Sequence, residues 1–144
     1  MESQANQIVK WDDPCIQPYT NQLQWIISRF AQQSMHCKTT CAALTVGTIV
    51  LSTRNGGNYF CLCLLIVAIF CFLDCYYLSL ERLYRNKFNK FIEDLSSGTA
   101  SKNMLFDMRP NYKYYEFSKI VESFKSISIY PFYILLSVVI FIIF

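Results

Sequence analysis

Residues 127–144 read Ile-Ser-Ile-Tyr-Pro-Phe-Tyr-Ile-Leu-Leu-Ser-Val-Val-Ile-Phe-Ile-Ile-Phe, a stretch without one charged side chain. An α-helix of that length rises about 27 Å, close to the hydrocarbon thickness of a bilayer. The stretch therefore predicts a transmembrane helix. Pro131 lies near its start, where a proline removes a backbone donor and is expected to kink the helix.

The composition also favours the membrane class. Hydrophobic residues make up 53% and aromatic residues 17% of the chain, and the mean hydropathy is +0.26. Charges are segregated: Asp74 is the only one between Asn55 and Tyr77, whereas nine Lys and Arg accompany six Asp and Glu between Leu78 and Lys125. The net charge of +3 comes from this last segment. The first residues are polar, without the apolar region of a secretory signal peptide, so the apolar segments are expected to stay in the mature protein.

The pattern predicts an all-α membrane protein with an N-terminal amphipathic helix, a transmembrane helical hairpin, a cytoplasmic helical extension and a C-terminal transmembrane helix. The amphipathic helix is expected over residues 18–36, where apolar side chains recur at helical spacing. Four segments result: a polar N-terminus with this helix (1–36), a two-span hairpin (37–77), a basic cytoplasmic helical segment (78–126) and a third transmembrane helix (127–144).

Finer features follow within these segments. Ala43 and Gly47 form a pair of small residues one helical turn apart, which permits close helix approach. The second span is expected to continue into the cytoplasm as one helix of about 35 residues, since the sequence after Asp74 contains good helix formers and no early Gly or Pro. Thr99–Lys113 is loop-like, and Tyr114–Ser126 is predicted to form a second amphipathic helix.

Basic residues predict the orientation. Arg29 and Lys38 precede the first span, only Arg54 lies in the turn of the hairpin, and nine basic residues follow the second span. Since juxtamembrane Lys and Arg favour the cytoplasm, we expect the N-terminus inside, the turn outside and the C-terminus periplasmic or external. The segments together predict a multi-pass membrane protein.

One acidic residue stands in apolar surroundings. Asp74 is expected near the inner edge of the bilayer, where a carboxylate requires a partner, and Arg82, Arg85 or Lys38 could supply it. On a helix, Asp74, Tyr77 and Glu81 lie along one face with Arg85. Two interpretations remain open for Asp74, Tyr77 and Glu81: a packing and topology anchor, or a gate that links the cytoplasmic part to the spans.

The cytoplasmic segment is rich in Arg, Lys and Tyr. Arginine binds phosphates bidentately and tyrosine stacks on bases, so the mixture suits an anionic nucleotide; it equally suits anionic lipid headgroups. Direct binding of DNA or RNA is not expected. The candidate ligand-binding residues are Arg82, Tyr84, Arg85, Lys87, Arg109, Tyr112 and Lys113.

Signatures of enzymes and metal sites are missing from the sequence. There is no nucleophile-elbow motif, no zinc-protease motif and no phosphate-binding glycine loop. His36 is the only histidine, and no third catalytic group follows it at a recognisable spacing. The seven cysteines lie mostly in apolar stretches and are interpreted as small packing residues rather than metal ligands or disulfides. We therefore predict no catalysis, no metal and no cofactor.

Four stretches of the sequence carry a resemblance to known proteins. They are Ile16-Gln17-Pro18-Tyr19 with Leu23-Gln24, Ile27 and Arg29; Cys37-Lys38-Thr39; Leu73-Asp74-x-Tyr76-Tyr77-Leu78-x-Leu80-Glu81-Arg82; and Phe124-Lys125-Ser126-x-Ser128-Ile129-Tyr130-Pro131-Phe132-Tyr133. Together they resemble a family of small bacterial membrane proteins. Some members are similar to transmembrane effectors encoded in anti-phage defence operons, beside enzymes that make nucleotide second messengers. The resemblance implies a location in the bacterial inner membrane, and disruption of that membrane under control of a cyclic nucleotide or oligonucleotide.

Two functions thus remain in view. The first is a membrane-disrupting effector, expected to assemble as a homo-oligomer because three spans cannot enclose a wide aqueous path. The second is a non-toxic membrane anchor or accessory subunit that recruits a cytoplasmic partner. Polar groups in the spans are few and weak, which favours a nonspecific lesion or gated bundle over a selective ion channel.

Overall fold

The structure is a computed structural model that describes residues 12–108, 126 and 128–144. Every regular element within that part of the chain is an α-helix, as the sequence predicts. Helix α1 spans Ile16–Asn55, α2 spans Phe60–Ser96, α3 spans Lys102–Phe106 and α4 spans Tyr130–Ile143. The predicted amphipathic helix at 114–126 lies almost wholly outside the described residues.

Helix α1 corrects the predicted separation of an amphipathic helix ending at residue 36. It continues unbroken for 40 residues, because no Gly or Pro occurs between Pro18 and Gly47. Asp13 starts it by accepting a hydrogen bond from Cys15 N at 3.0 Å. Gly56 ends it with a φ of 64°, a conformation that favours glycine, and its N–H bonds to Ser52 O at 3.0 Å.

Helix α2 is 37 residues long, close to the predicted length of about 35. Asn58 Oδ1 caps its start by accepting a hydrogen bond from Phe60 N at 3.0 Å. Gly98, with a φ of 71°, ends it. The segment Thr99–Lys113, predicted as a loop, contains the short helix α3.

Helix α4 begins at Tyr130 and is 14 residues long. Pro131 does not kink it, contrary to the prediction, because the proline falls in the first turn. A first-turn N–H has no partner within the helix, so a proline there loses nothing.

Two compact units divide the described residues. The first unit contains residues 12–29 and 80–108, and the second contains 30–79 and 126–144 apart from 127. In the first unit, Tyr19 and Leu23 of α1 pack against Phe91 and Leu95 of α2, and the rings of Tyr19 and Phe91 meet edge to face at 4.8 Å. These contacts form a small water-excluding core.

Candidate functional site: a buried charge cluster in the second unit

Asp74 is fully enclosed in the second unit, with an exposed fraction of 0%. Ser34 Oγ donates a hydrogen bond to its Oδ1. Lys38 Nζ lies 2.9 Å from its Oδ2. Lys38 is therefore the partner of Asp74, one of the three that the sequence suggested.

The three side chains form a closed network, here named the charge cluster. Ser34 and Lys38 are one turn apart on α1, and helix geometry places such residues on the same face. Lys38 Nζ also donates to Ser34 Oγ at 3.0 Å. Asp74 reaches both from α2, so the charge cluster joins the two helices at one fixed register.

Burial raises the free-energy cost of breaking this network. Removing one partner of a buried ion pair leaves an uncompensated charge and typically costs about 3–5 kcal/mol. The arrangement holds opposite charges between the two helices.

The charge cluster continues into a seam of small polar residues on α1. Its buried members recur at intervals of three and four residues, as in a coiled coil, and their small side chains permit close packing. Ala43 and Gly47, predicted to serve this purpose, are exposed instead, and nothing lies within 4 Å of where a Gly47 side chain would begin. The seam consists of Ser34, Cys37, Cys41, Thr45, Thr48 and Ser52.

The seam was not predicted, because apolar periodicity does not mark a row of Ser, Cys and Thr residues. The signal was present as a repeat of Ser, Cys and Thr. All seven cysteines are free thiols, and Cys63 and Cys75 of α2 are fully buried as well. The burial of Cys37, Cys41, Cys63 and Cys75 agrees with the interpretation as packing residues, whereas Cys15 and Cys61 are exposed and Cys71 is half-buried.

Helix α4 completes the second unit by packing antiparallel to α2. Tyr133 is buried and its hydroxyl donates to Phe70 O at 3.2 Å. At the other end, the rings of Phe144 and Phe60 meet edge to face, with centroids 6.1 Å apart. The two contacts fix α4 in register along residues 60–70 of α2.

The outer surface of the second unit is apolar, in contrast to the seam. Large side chains such as Val46 and Phe141 are 59% and 76% exposed. Soluble proteins rarely expose contiguous apolar patches of this extent. The outward apolar residues, here named the girdle, include Leu44, Val46, Val50 and Leu51 on α1, Leu62, Leu64, Leu65, Ile69 and Phe72 on α2, and Ile134, Leu135, Val138, Val139, Phe141, Ile142, Ile143 and Phe144 around α4.

Helix α2 carries the clearest membrane signal of the described residues. It alone is long and apolar enough to cross a bilayer by length and composition, with a mean hydropathy of 2.4 over its best window. Helix α4 is apolar but short. Over residues 12–108 and 128–144 the chain is thus helical, with one candidate membrane-crossing helix.

The predicted ligand-binding residues of the first unit are largely engaged in internal contacts. Arg85 pairs with Glu81 at 2.7 Å. Lys87, with 19% of its side chain exposed, lies 3.7 Å from the Asp107 carboxylate and also bonds to the Asp107 carbonyl oxygen. Internal contacts leave Lys87 less available for a ligand, whereas Arg85, with 62% of its side chain exposed, stays accessible.

The remaining predicted positions divide between core and surface. Tyr84 packs against the core of the first unit, and Arg82 is exposed. Tyr77, a predicted gate residue, contacts Tyr76 with ring centroids 5.7 Å apart. Arg109, Tyr112 and Lys113 lie outside the described residues, so the structure brings together only part of the proposed binding set.

A groove of about 500 Å³ opens in the first unit between the start of α1 and α2. Asp12 and Asp13 stand at its edge, with Phe88 and Ile92 on its wall. Two carboxylates repel an anion, so this groove does not match the predicted nucleotide. In the adjoining core, burial together with the Asp107 carboxylate raises the pKa of Tyr19 above its usual value.

No cluster of potential metal ligands occurs among the residues that the structure describes. No family model, curated protein or solved structure matches this chain. Its function must therefore be inferred from the charge cluster, the seam and the girdle.

Proposed function

We propose that this protein is a membrane-embedded effector whose second unit disrupts the bilayer when the charge cluster is released. The observation that carries the proposal is the inverted polarity of that unit, with Lys38 and Asp74 enclosed and apolar side chains outside. Proteins solvated by lipid require this arrangement, because ionisable groups are costly in hydrocarbon and turn toward partners.

In this proposal α1 and α4 cross the membrane together with α2. The low apolar content of α1 has a structural cause, since its seam of Ser, Cys and Thr faces the other helices. Its outward residues in the same stretch, such as Leu44 and Val50, are apolar and exposed. Basic residues favour a cytoplasmic N-terminus and an external C-terminus.

In this mechanism the charge cluster holds α1 and α2 in their resting packing. A buried ion pair stabilises one packing of α1 against α2 and strongly disfavours any packing that separates the charges. A ligand can shift such an equilibrium only by binding the two packings with different affinity. Homo-oligomerisation would then supply a path for ions that a single three-helix unit cannot enclose.

The trigger proposed from the family resemblance is a cyclic nucleotide or oligonucleotide, bound by the cytoplasmic part. Arg82 is exposed on α2 in the first unit, and it belongs to the predicted phosphate-binding set. On this proposal the protein acts in anti-phage defence at the inner membrane.

The test is expression in a bacterial host, alone and with a nucleotide cyclase, while a dye reports membrane potential. We expect the wild type to lose potential only with the cyclase. Cells that express Asp74→Asn should lose membrane potential without the cyclase, because the ion pair that holds the resting packing is weakened. Glu93→Gln, at an exposed acidic position of the same helix, should behave as the wild type. Intact potential in every combination would contradict the proposal.

A second candidate is a non-toxic anchor that holds a cytoplasmic partner at the membrane. The pairing of Lys87 with Asp107 favours it, because a cation so engaged serves structure rather than ligand binding. Copurification of a stoichiometric partner, with no growth defect on overexpression, would support the anchor over the effector.

A further inference from the structure

Four cysteines lie next to the charge cluster of the second unit. Cys37 and Cys41 are one turn apart on α1, and Cys71 and Cys75 are one turn apart on α2. Cys37, Cys41 and Cys75 are buried, whereas Cys71 is half-buried. Packing alone accounts for a buried thiol, but two thiols that meet across a pair of helices can also be oxidised together.

The charge cluster determines which of these thiols lie at the same height. Ser34 and Lys38 both contact Asp74, so Asp74 lies level with the helical turn that these two residues bound. The tight turn between α1 and α2 makes the helices antiparallel. Three residues back along α2 therefore correspond to three residues forward along α1, and Cys71 lies level with residues 37–41.

Cys41 is the thiol of α1 that is placed to meet Cys71. It is fully buried in the seam, and it lies near enough to Cys71 for the two side chains to interact electrostatically. Tyr133 of α4 interacts with both thiols, and its hydroxyl donates to Phe70 O, in the residue before Cys71. The seam permits close approach of the helices, as a disulfide requires, since its two Cα atoms lie within about 7 Å. Cys41 and Cys71 are here named the thiol pair.

We propose that the thiol pair is an oxidation site, at which a peroxide converts Cys41 and Cys71 into a disulfide that ties α1 to α2. The inference rests on the proposed function and adds a form of regulation to it. Because the proposed function requires α1 and α2 to leave their resting packing, a covalent bond between them keeps the effector inactive.

The two cysteines have different tasks in this reaction. A fully buried cysteine is ordinarily inert, but only Cys71 has to meet the oxidant, and Cys71 is the member of the thiol pair with exposed surface. Cys41 has to reach no further than its neighbour on α2. An accessible thiol beside a second thiol is the usual arrangement at oxidation-sensitive sites.

The reaction with hydrogen peroxide balances in two steps. The Cys71 thiolate attacks one peroxide oxygen, so that a sulfur–oxygen bond forms, the oxygen–oxygen bond breaks and hydroxide leaves. The Cys41 thiolate then attacks the sulfur of this sulfenic acid, so that the disulfide forms, the sulfur–oxygen bond breaks and a second hydroxide leaves. The two protons released by the thiols convert both hydroxides into water. The thiol pair loses two electrons, and the peroxide is reduced to two water molecules.

Mapping of the bond tests the oxidation site directly. The full chain in mild detergent, in a Cys15→Ser/Cys61→Ser background that removes the two exposed thiols, is treated with hydrogen peroxide, unfolded and labelled with a maleimide. We expect the treated chain to take up two fewer maleimides than the reduced chain. Mass spectrometry should find Cys41 and Cys71 in linked peptides, and dithiothreitol should restore full labelling.

A matched pair of variants identifies the partner of Cys71. Cys41→Ser should stop at the sulfenic acid, which a dimedone probe traps at Cys71. Cys37→Ser removes another buried thiol one turn earlier on α1 and should still form the bond. Linkage of Cys71 to Cys37 instead of Cys41 would overturn the assignment of the thiol pair.

The membrane-potential assay tests the regulation. Cells that express the wild type with the cyclase should keep their potential after brief treatment with hydrogen peroxide, and should lose it once a membrane-permeant reductant is added. Cells that express Cys41→Ser with the cyclase should lose their potential with or without peroxide. The variant thereby also controls for general effects of peroxide on the cells.

The outcomes separate this inference from the proposed function. Absence of a bond between Cys41 and Cys71 would refute the oxidation site and leave the effector standing. A mapped bond that does not preserve the potential of cells responding to the cyclase would refute the regulation. A mapped bond in a protein that never changes the potential would support the oxidation site and refute the effector.

Discussion

At the scale of residues, Asp74 is a buried charge whose loss of a partner would cost much folding free energy. Its carboxylate is buried, and among the described residues its polar partners are Lys38 and Ser34. The charge on Lys38 is nearly as enclosed, with 12% of its side chain exposed. A pair of this kind stabilises little by itself but penalises the loss of either member heavily.

Comparison of a single variant with a double variant tests this ion pair. Asp74→Leu should lower the free energy of unfolding by about 3 kcal/mol, because Lys38 is left charged and buried. Lys38→Met/Asp74→Leu should recover most of the loss, since Ser34 can then bond to the carbonyl oxygen four residues earlier. Loss of helical circular dichroism on transfer from mild detergent to sodium dodecyl sulfate measures both. Equal instability of the single and double variants would contradict this account.

At the scale of elements, α1 combines two surfaces that a hydropathy average conceals. Within the second unit, one face of α1 buries small Ser, Cys and Thr side chains. The opposite face exposes Leu and Val side chains. In the proposed membrane-embedded state, close packing depends on the small face, because van der Waals contact replaces the hydrophobic effect as the cause of helix association in lipid.

Neighbouring positions on α1 test this division. Thr45 is 1% exposed and Val46 is 59% exposed. Thr45→Leu should destabilise the second unit by about 1–3 kcal/mol, because overpacking forces α1 away from its neighbours. Val46→Leu should change stability by less than about 0.5 kcal/mol. The same detergent-transfer assay compares them, and similar losses for both would show that the seam does not form a tight contact.

At the scale of the whole molecule, the two units differ in the kind of surface they bury. The first encloses an apolar core around Leu23 and Phe91, as a domain in water does. The second encloses the Lys38–Asp74 pair and small polar side chains together with apolar ones such as Val67 and Ile140, and it exposes many large apolar side chains. This difference is what the proposed function requires, in which the first unit is cytoplasmic and the second lies in lipid.

Labelling with a membrane-impermeant maleimide tests this arrangement. In a Cys15→Ser/Cys61→Ser background, which removes the two exposed thiols, Asn55→Cys should react in intact cells. Asn89→Cys, at an exposed position of the first unit, should react only after lysis. Reaction of Asn89→Cys in intact cells would reverse the proposed orientation, and the unmodified background reports any labelling of the buried thiols.

Sequence by itself determined the helical class, the long second helix and the need of Asp74 for a partner. These follow from local rules: apolar runs without Gly or Pro form helices, and a carboxylate in an apolar run requires compensation. The continuity of α1 was also within reach, since the stretch from Pro18 to Gly47 contains no helix breaker.

Only the tertiary structure decided which cation meets Asp74, which face of α1 packs inward and where α4 attaches. Arg82 and Arg85 lie on α2 with Asp74 but two and three turns away, whereas Lys38 lies on α1. Whether Lys38 comes within reach of Asp74 depends on how the two helices pack. Ala43 and Gly47 satisfy the same spacing rule as the Ser, Cys and Thr seam, yet they face outward. Such choices depend on contacts between residues distant in the chain, which periodicity along one helix does not encode.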